Sequence, residues 1–109
     1  MGYRATVVTK QREYGSQVFS DWDKFGDLWN DLDTFIEINV PEASTYMSEG
    51  GEYYEVSTRG LKEYIEHLSA LPGGDKNEFY TDYTNEEVVS AFKTSIEEST
   101  GEYVVWEWF

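Results

Sequence analysis

The sequence contains no cysteine and one histidine, His67. Without cysteine the chain forms no disulfide and offers no thiol for catalysis or for zinc binding. A single histidine excludes most histidine-based metal sites and catalytic triads. His67 is near Glu63 and Glu66 on the polar side of a predicted helix. We therefore expect a solvated surface histidine rather than an acid–base group.

Basic residues are also scarce, because 8 Lys and Arg stand against 22 Asp and Glu, for a formal net charge of −14. Residues 1–12 hold three of the bases and no acid, and residues 25–58 hold 8 acids and no base. A net charge of about 2 to 8 in magnitude is enough to keep a small domain soluble. Nucleic acid and anionic membranes are excluded as direct ligands, since both need basic patches. The charge favours a basic protein surface as the partner.

Long apolar runs are missing. No run reaches the length of a membrane span, and the first 30 residues lack the apolar run of a signal peptide. Together with the missing cysteine, this predicts a cytoplasmic protein. The 109 residues fit a single domain over 1–109. An aromatic content of 17% argues against a disordered acidic tail.

The strongest strand patterns lie at the two ends of the chain. Residues 3–10 are rich in β-branched side chains, residues 103–109 combine these with aromatics, and a weaker strand is predicted at 52–57. We expect the two end strands to pair at the centre of a small, mostly antiparallel sheet. Residues 11–20 are predicted to be a polar connection and residues 37–48 an irregular segment.

Three amphipathic helices are predicted from apolar residues at helical spacing. The first runs from Asp21 to about Ile36, the second from Ser57 or Thr58 to the turn at 72–74, and the third follows a capping box at 84–87. Their apolar faces comprise Trp22, Phe25, Trp29, Leu32 and Ile36, then Leu61, Tyr64, Ile65, Leu68 and Leu71, then Val88, Val89, Phe92 and Ile96. A short extended piece is predicted at 78–82. Three helices covering one sheet give an α+β architecture.

Carboxylates lie opposite these apolar faces. Asp23, Asp27 and Asp31 follow one another at i, i+4 and i+8, in a row spaced about 6 Å apart. Each such pair of like charges destabilises an isolated helix by roughly 0.2–0.5 kcal/mol, which favours a role in binding. Tyrosine is common in interfaces, and the four tryptophans are expected in the core. The predicted partner-binding residues are Asp23, Asp27, Asp31, Glu49, Glu52, Tyr53, Tyr54, Glu55, Glu63, Glu66, Glu86, Glu87, Glu97 and Glu98.

Tests for catalytic and metal-binding motifs point to no enzyme, no metal ion and no other cofactor. An EF-hand loop starting at Asp21 would match at Asp23 and Gly26, but Phe25 and Leu32 occupy two positions that need oxygen ligands. There is no Gly-x-Ser-x-Gly elbow and no phosphate-binding loop of the Gly-Lys-Ser/Thr type. With 22 acids, carboxylate pairs are unavoidable, so a pair does not indicate a glycosidase.

The chain resembles the small acidic proteins that phages and mobile elements encode to block host defence, among them anti-CRISPR proteins, anti-restriction proteins and uracil-glycosylase inhibitors. The resemblance lies in size, charge, missing cysteine, aromatic content and acid-lined elements such as the row Asp23, Asp27 and Asp31. It implies a protein in the cytoplasm of a bacterial host that binds and inhibits a nucleic-acid-binding host protein, by mimicry in which carboxylates take the place of phosphates. No motif is shared, so no functional residue is carried over.

Other interpretations stay open. A non-enzymatic interaction module could bind through exposed tyrosines, among Tyr46, Tyr53, Tyr54, Tyr80 and Tyr83, and through the Trp-rich end strand, with acidity serving solubility only. A small carboxylate enzyme would need an acid in an apolar surround. Its best candidate is Glu107, although strand alternation places this residue on the wetter face. A halophilic origin would also explain the charge, but Glu outnumbers Asp by 15 to 7.

The oligomeric state is not indicated by the sequence. An uncovered strand edge, for example that of the strand at 3–10, could pair with a second chain.

Overall fold

The computed structural model describes residues 5–8, 14–20, 22–70, 85–99 and 101–108. In chain order its elements are β1 (Ala5–Val8), β2 (Tyr14–Phe19), α1 (Trp22–Asn39), β3 (Thr45–Met47), β4 (Tyr53–Ser57), α2 (Thr58–Ser69), α3 (Asn85–Ser99) and β5 (Tyr103–Trp108). The predicted α+β class is confirmed. The extended piece predicted at 78–82 and the turn at 72–74 lie outside the described residues.

The five strands form one antiparallel sheet in the order β2-β1-β5-β4-β3. β1 pairs with β5 from Ala5 opposite Trp108 to Val8 opposite Val105, so the predicted pairing of the end strands is confirmed. The edge of β1 is not open, because β2 and β5 flank it on its two sides. The edges of the sheet are β2 and β3.

Two strands lie where the sequence predicted none. β2 falls in the predicted polar connection, and its register against β1 is irregular at two points. β3 is three residues long and largely exposed. Neither strand shows the alternation of apolar and polar residues that identifies a half-buried strand. Backbone hydrogen bonds to a neighbouring strand hold each of them in place. Helix α1 also continues to Asn39, beyond the predicted end near Ile36.

The three helices cover the same face of the sheet. The ring of Phe25 in α1 and the ring of Phe92 in α3 each lie 5.8 Å from Trp106 of β5, centroid to centroid. Tyr64 of α2 packs edge-on against Phe92 at 6.1 Å. Along β5, Val104, Trp106 and Trp108 are buried under the helices, whereas Tyr103, Val105 and Glu107 alternate with them on the opposite face.

The buried core matches the predicted apolar faces closely. It comprises Val7, Phe19, Phe25, Leu28, Trp29, Leu32, Ile36, Tyr54, Val56, Leu61, Tyr64, Ile65, Leu68, Val88, Phe92, Val104, Trp106 and Trp108. Trp29, Trp106 and Trp108 are therefore core residues, as predicted. Val89 and Ile96 are partly buried against this cluster. The side chain of Trp22 and all of Leu71 lie outside the described part of the chain.

A buried hydrogen-bond relay fixes α3 against the sheet. The indole N–H of Trp106 donates to Ser95 Oγ at 3.0 Å, and the Ser95 hydroxyl donates to the carbonyl oxygen of Ala91 at 2.8 Å. Trp106 and Ser95 are both fully buried. The relay satisfies a donor that would otherwise lose its hydrogen bond to water on folding.

Helices α1 and α2 approach each other closely at Gly60. A Cβ atom built there would lie 2.8 Å from Ile36 Cδ1 and 3.1 Å from the Cβ of Ala43. Glycine at this position therefore permits the close packing of α2 against α1 and the segment that follows it. By contrast, a Cβ atom at Gly26 would meet nothing within 4 Å.

Candidate partner-binding surface

The predicted partner-binding residues fall into three groups by exposure. The exposed residues are Asp27, Glu49, Glu52, Glu63, Glu66, Glu86, Glu87 and Glu97. The half-buried residues are Asp31, Tyr53, Glu55 and Glu98. Tyr54 is buried, and the side chain of Asp23 lies outside the described part of the structure. The structure therefore places most of the predicted carboxylates in contact with solvent.

The prediction that Tyr54 contacts a partner is wrong. Its side chain is 2% exposed, and its ring packs edge-on against Phe25 at 4.9 Å and Trp29 at 5.0 Å. Successive residues of a strand point to opposite faces. In β4, Tyr54 points under the helices, and Tyr53 and Glu55 point away from them. Composition alone does not distinguish these two neighbouring tyrosines.

Two predicted carboxylates have structural partners. Asp31 accepts a hydrogen bond from the hydroxyl of Tyr64 at 2.6 Å, which joins α1 to α2. Glu98 accepts one from the backbone N–H of Ser16 at 2.7 Å and another from the Ser16 hydroxyl, which joins α3 to β2. In the row predicted on α1, Asp27 faces solvent but Asp31 is engaged within the fold. Asp31 and Glu98 therefore contribute to the fold, which reduces what they can offer a partner.

Residues 25–58 are named here the acidic segment. They comprise most of α1 together with β3 and β4. The hydroxyl of Thr45 in β3 donates to the carboxylate of Asp33 in α1, and Phe25 packs on Tyr54 of β4. These contacts make the three elements neighbours in space as well as in sequence. The exposed carboxylates of the acidic segment are Asp27, Glu37, Glu42, Glu49 and Glu52.

The acidic segment contains no lysine or arginine. Arg59 follows it directly and forms an ion pair with Glu42, with 2.6 Å between Nη2 and Oε1. Both side chains of this pair are more than half exposed, at 68% and 51%, so the pair adds little stability. The remaining carboxylates of the acidic segment project a negative field.

The α2–α3 side has mixed charge. A groove of about 670 Å³ lies between the helices and is lined by Lys62, Ile65, Glu66, Ser69, Ala70, Lys93, Ile96 and Glu97. Each helix contributes one lysine and one glutamate to it. Two of the predicted carboxylates, Glu66 and Glu97, therefore share their surface with bases. The local negative field is weaker here than over the acidic segment.

The face of the sheet opposite the helices gathers tyrosines around a carboxylate. The hydroxyl of Tyr53 donates a hydrogen bond to Glu55 Oε1 at 2.9 Å, and Tyr46 of β3 is the cross-strand partner of Glu55. The rings of Tyr46 and Tyr53 lie edge to face with centroids 6.0 Å apart. Tyr103 of β5 pairs with Ser57, which places it diagonal to Glu55. We call Tyr46, Tyr53, Glu55, Tyr103 and Glu107 the tyrosine face.

Two members of the tyrosine face are strongly exposed: Tyr46 at 56% and Tyr103 at 46%. Tyr46 was among the tyrosines expected to be exposed, whereas Tyr103 was missed. The alternation along β5 could have identified Tyr103, because tryptophans at 106 and 108 in the core place odd-numbered residues outward. Glu107 lies on this wetter, outward face, as predicted.

Two further polar side chains, Thr6 and His67, differ in exposure. Thr6 is the cross-strand partner of Glu107, is 2% exposed, and its hydroxyl has no hydrogen-bond partner among the described residues. His67 is exposed, and its ring lies over Phe35 at 4.9 Å between centroids. The prediction of a surface histidine is confirmed.

Within the described ranges, no three His, Cys, Asp or Glu side chains come together in a way that could hold a metal ion. None of the described helices has the length and apolar character needed to cross a membrane. Comparisons with protein-family models, with curated proteins and with solved structures found no match.

Proposed function

We propose that this protein binds a basic, nucleic-acid-binding surface of another protein and inhibits that protein. The acidic segment is the observation that carries the proposal. It comprises most of α1 together with β3 and β4, and it has five exposed carboxylates and no base of its own. A surface built to hold phosphates is rich in Lys and Arg, and complementary charge speeds its encounter with an acidic protein.

Nucleic-acid mimicry fits this arrangement better than it fits a single helix. Duplex DNA carries one charge per roughly 1.7 Å of its axis, whereas carboxylates one helical turn apart are about 6 Å apart. Asp27 on α1 is one element of the surface, and Glu49 and Glu52 beside the β3–β4 turn form a second. Mimicry requires that carboxylates from several elements together approach the charge density that one helix lacks.

The proposal places the protein among inhibitors of the anti-CRISPR or anti-restriction type, acting in the cytoplasm of a bacterial host. It requires neither catalysis nor a cofactor, because occupying the surface is enough to displace nucleic acid. Nucleic acid itself is not the ligand, since a net charge of −14 repels phosphates.

Affinity capture tests the proposal. The tagged protein is incubated with bacterial lysates that express restriction and CRISPR effectors, and is then washed with competing DNA and with salt raised to about 0.5 M. The screening length falls from about 10 Å at 0.1 M salt to about 3 Å at 1 M. We expect to recover a nucleic-acid-binding protein that both washes release, and whose binding to DNA is inhibited when this protein is added. A captured protein that both washes leave in place would contradict charge mimicry.

The exposure of Tyr46 and Tyr103 supports a second candidate, a non-enzymatic interaction module that binds through tyrosines. Under this alternative, acidity serves solubility alone. The double substitution Tyr46→Ala with Tyr103→Ala would then abolish capture, and neutralising Asp27, Glu49 and Glu52 would leave capture unchanged. The reverse pattern excludes this candidate.

A further inference from the structure

Glu55 lies at the centre of the tyrosine face. Tyr46 stands opposite it on β3, the Tyr53 hydroxyl donates to its Oε1, and Tyr103 lies diagonally across on β5. Cross-strand partners on one face have Cβ atoms about 4.5–5.5 Å apart, and diagonal neighbours about 7–8 Å, within reach of an aromatic side chain. Tyrosine rings therefore frame one carboxylate on an exposed sheet face.

The polar groups of this face are only partly satisfied within the fold. A carboxylate offers about four lone-pair sites, and Glu55 uses one of them, at Oε1, in its hydrogen bond from Tyr53. Within the described residues, Oε2 of Glu55 accepts no hydrogen bond. Glu55 therefore retains acceptor sites that intramolecular contacts within the described residues leave open.

An arginine side chain has the chemistry that this arrangement complements. Its guanidinium is planar, stacks on aromatic rings and donates two parallel hydrogen bonds to a carboxylate. A lysine ammonium is compact and strongly hydrated, and it forms neither the stack nor the paired hydrogen bonds. Glu107, the cross-strand partner of Tyr53, adds a second negative charge beside the frame.

We propose that the tyrosine face binds an arginine side chain of the partner protein, with its guanidinium paired to Glu55 and stacked on the rings of Tyr46 and Tyr103. This inference rests on the proposed function, because it takes the partner to be a basic protein, and it names the side chain that the partner presents. The acidic segment supplies long-range attraction, and the tyrosine face supplies a specific contact.

A peptide titration of the full-length ¹⁵N-labelled protein tests the inference. The probes are a capped Gly-Arg-Gly-Arg-Gly peptide and its lysine counterpart, both at low salt and followed by amide chemical shifts. We expect the arginine peptide to shift the amides of Tyr46, Glu55 and Tyr103 most. We also expect it to bind about fivefold more tightly than the lysine peptide, the ratio that about 1 kcal/mol from the second hydrogen bond of a paired guanidinium gives.

Matched variants locate the site. Glu55→Gln is expected to weaken the arginine peptide about tenfold, whereas Glu63→Gln, an equal loss of charge at an exposed site on α2, should change its affinity less than about twofold. Tyr46→Ala should weaken binding about fivefold, with an otherwise unchanged spectrum as the check on folding. Equal effects of the two Gln variants, equal affinity of the two peptides, or shifts spread over all acidic elements would each overturn the inference.

The titration involves no lysate, so its outcome is separate from that of the capture experiment. A failed capture with intact, localised peptide binding contradicts the proposed function alone. A successful, salt-sensitive capture with diffuse peptide shifts contradicts the arginine site alone.

Discussion

Tyr64, in the helical layer that covers one face of the sheet, and Tyr53, on the opposite face of the sheet, each donate a hydroxyl hydrogen bond to a carboxylate. Tyr64 is fully buried, and its bond to Asp31 at 2.6 Å joins two helices. Tyr53 is half-buried, and its bond to Glu55 at 2.9 Å lies within one strand, beside the exposed ring of Tyr46. The first pair is part of the folded scaffold, and the second is part of a surface.

This difference shows that tyrosine and acid content alone do not define a binding site. Removing a hydroxyl from a buried site leaves a polar partner without its hydrogen bond, whereas water replaces the hydroxyl at an exposed site. Substitutions on the helix-covered face should therefore change stability. Substitutions on the tyrosine face should change binding and leave stability nearly unaltered.

The largest effect is expected for Trp106→Ala on β5. The side chain is fully buried, so its truncation should lower the free energy of unfolding by about 3–5 kcal/mol. Tyr103→Ala on the same strand removes a ring that is 46% exposed and should cost no more than about 1 kcal/mol. Denaturant unfolding followed by tryptophan fluorescence or circular dichroism measures both. Similar costs at the two positions would contradict the assignment of the two faces.

The two tyrosine–carboxylate pairs provide the next test. Tyr64→Phe should lower the free energy of unfolding by about 1.5–3 kcal/mol, because it removes the hydrogen bond that a fully buried tyrosine donates to a half-buried carboxylate. Tyr53→Phe should lower it by about 0.5 kcal/mol, since water can reach Glu55. Urea titration of both variants gives the comparison directly. If Tyr53→Phe proved the more damaging, the tyrosine face would be a structural element.

Effects of opposite sign are expected for two glycines in the helical layer. Gly60→Ala should destabilise the protein by about 1–2 kcal/mol, because the added methyl group crowds Ile36 and Ala43. Gly26→Ala should stabilise it by about 0.5–1 kcal/mol, because space is open and alanine is the better helix former. Melting temperatures should shift in opposite directions. A shift of the same sign for both would mean that α1 and α2 are not packed as described.

The sequence predicted the elements whose side chains follow a regular period. The two end strands and the three helices were found in this way, as was most of the core. β2 and β3 were missed because they are held by backbone pairing at the edges of the sheet and bury few side chains. A period-based analysis has no signal for such strands.

The candidate site was harder to predict for two reasons. Some of its residues have partners that are distant in sequence, and the sequence does not show which face of a strand is covered by the helices. The partners of Asp31 and Glu98 are 33 and 82 residues away along the chain, so local patterns cannot show that these carboxylates are engaged. Tyr53 and Tyr54 are adjacent, and only the side on which the helices pack decides which of them is buried. Residues that face solvent on helices, such as Asp27 and Glu63, were predicted correctly because helical period alone determines their exposure.

The central claim is that the acidic segment makes the attraction to a basic partner, and two triple variants of equal charge test it most directly. One carries Asp27→Asn, Glu49→Gln and Glu52→Gln in the acidic segment, and the other carries Glu63→Gln, Glu66→Gln and Glu97→Gln on the α2–α3 side. Their dissociation constants for the captured protein are measured from low to high salt. We expect the first to bind at least about tenfold more weakly at low salt and to lose most of its salt dependence, while the second stays within about threefold of the unaltered protein. Equal weakening of both variants, or no weakening of the first, would contradict the claim.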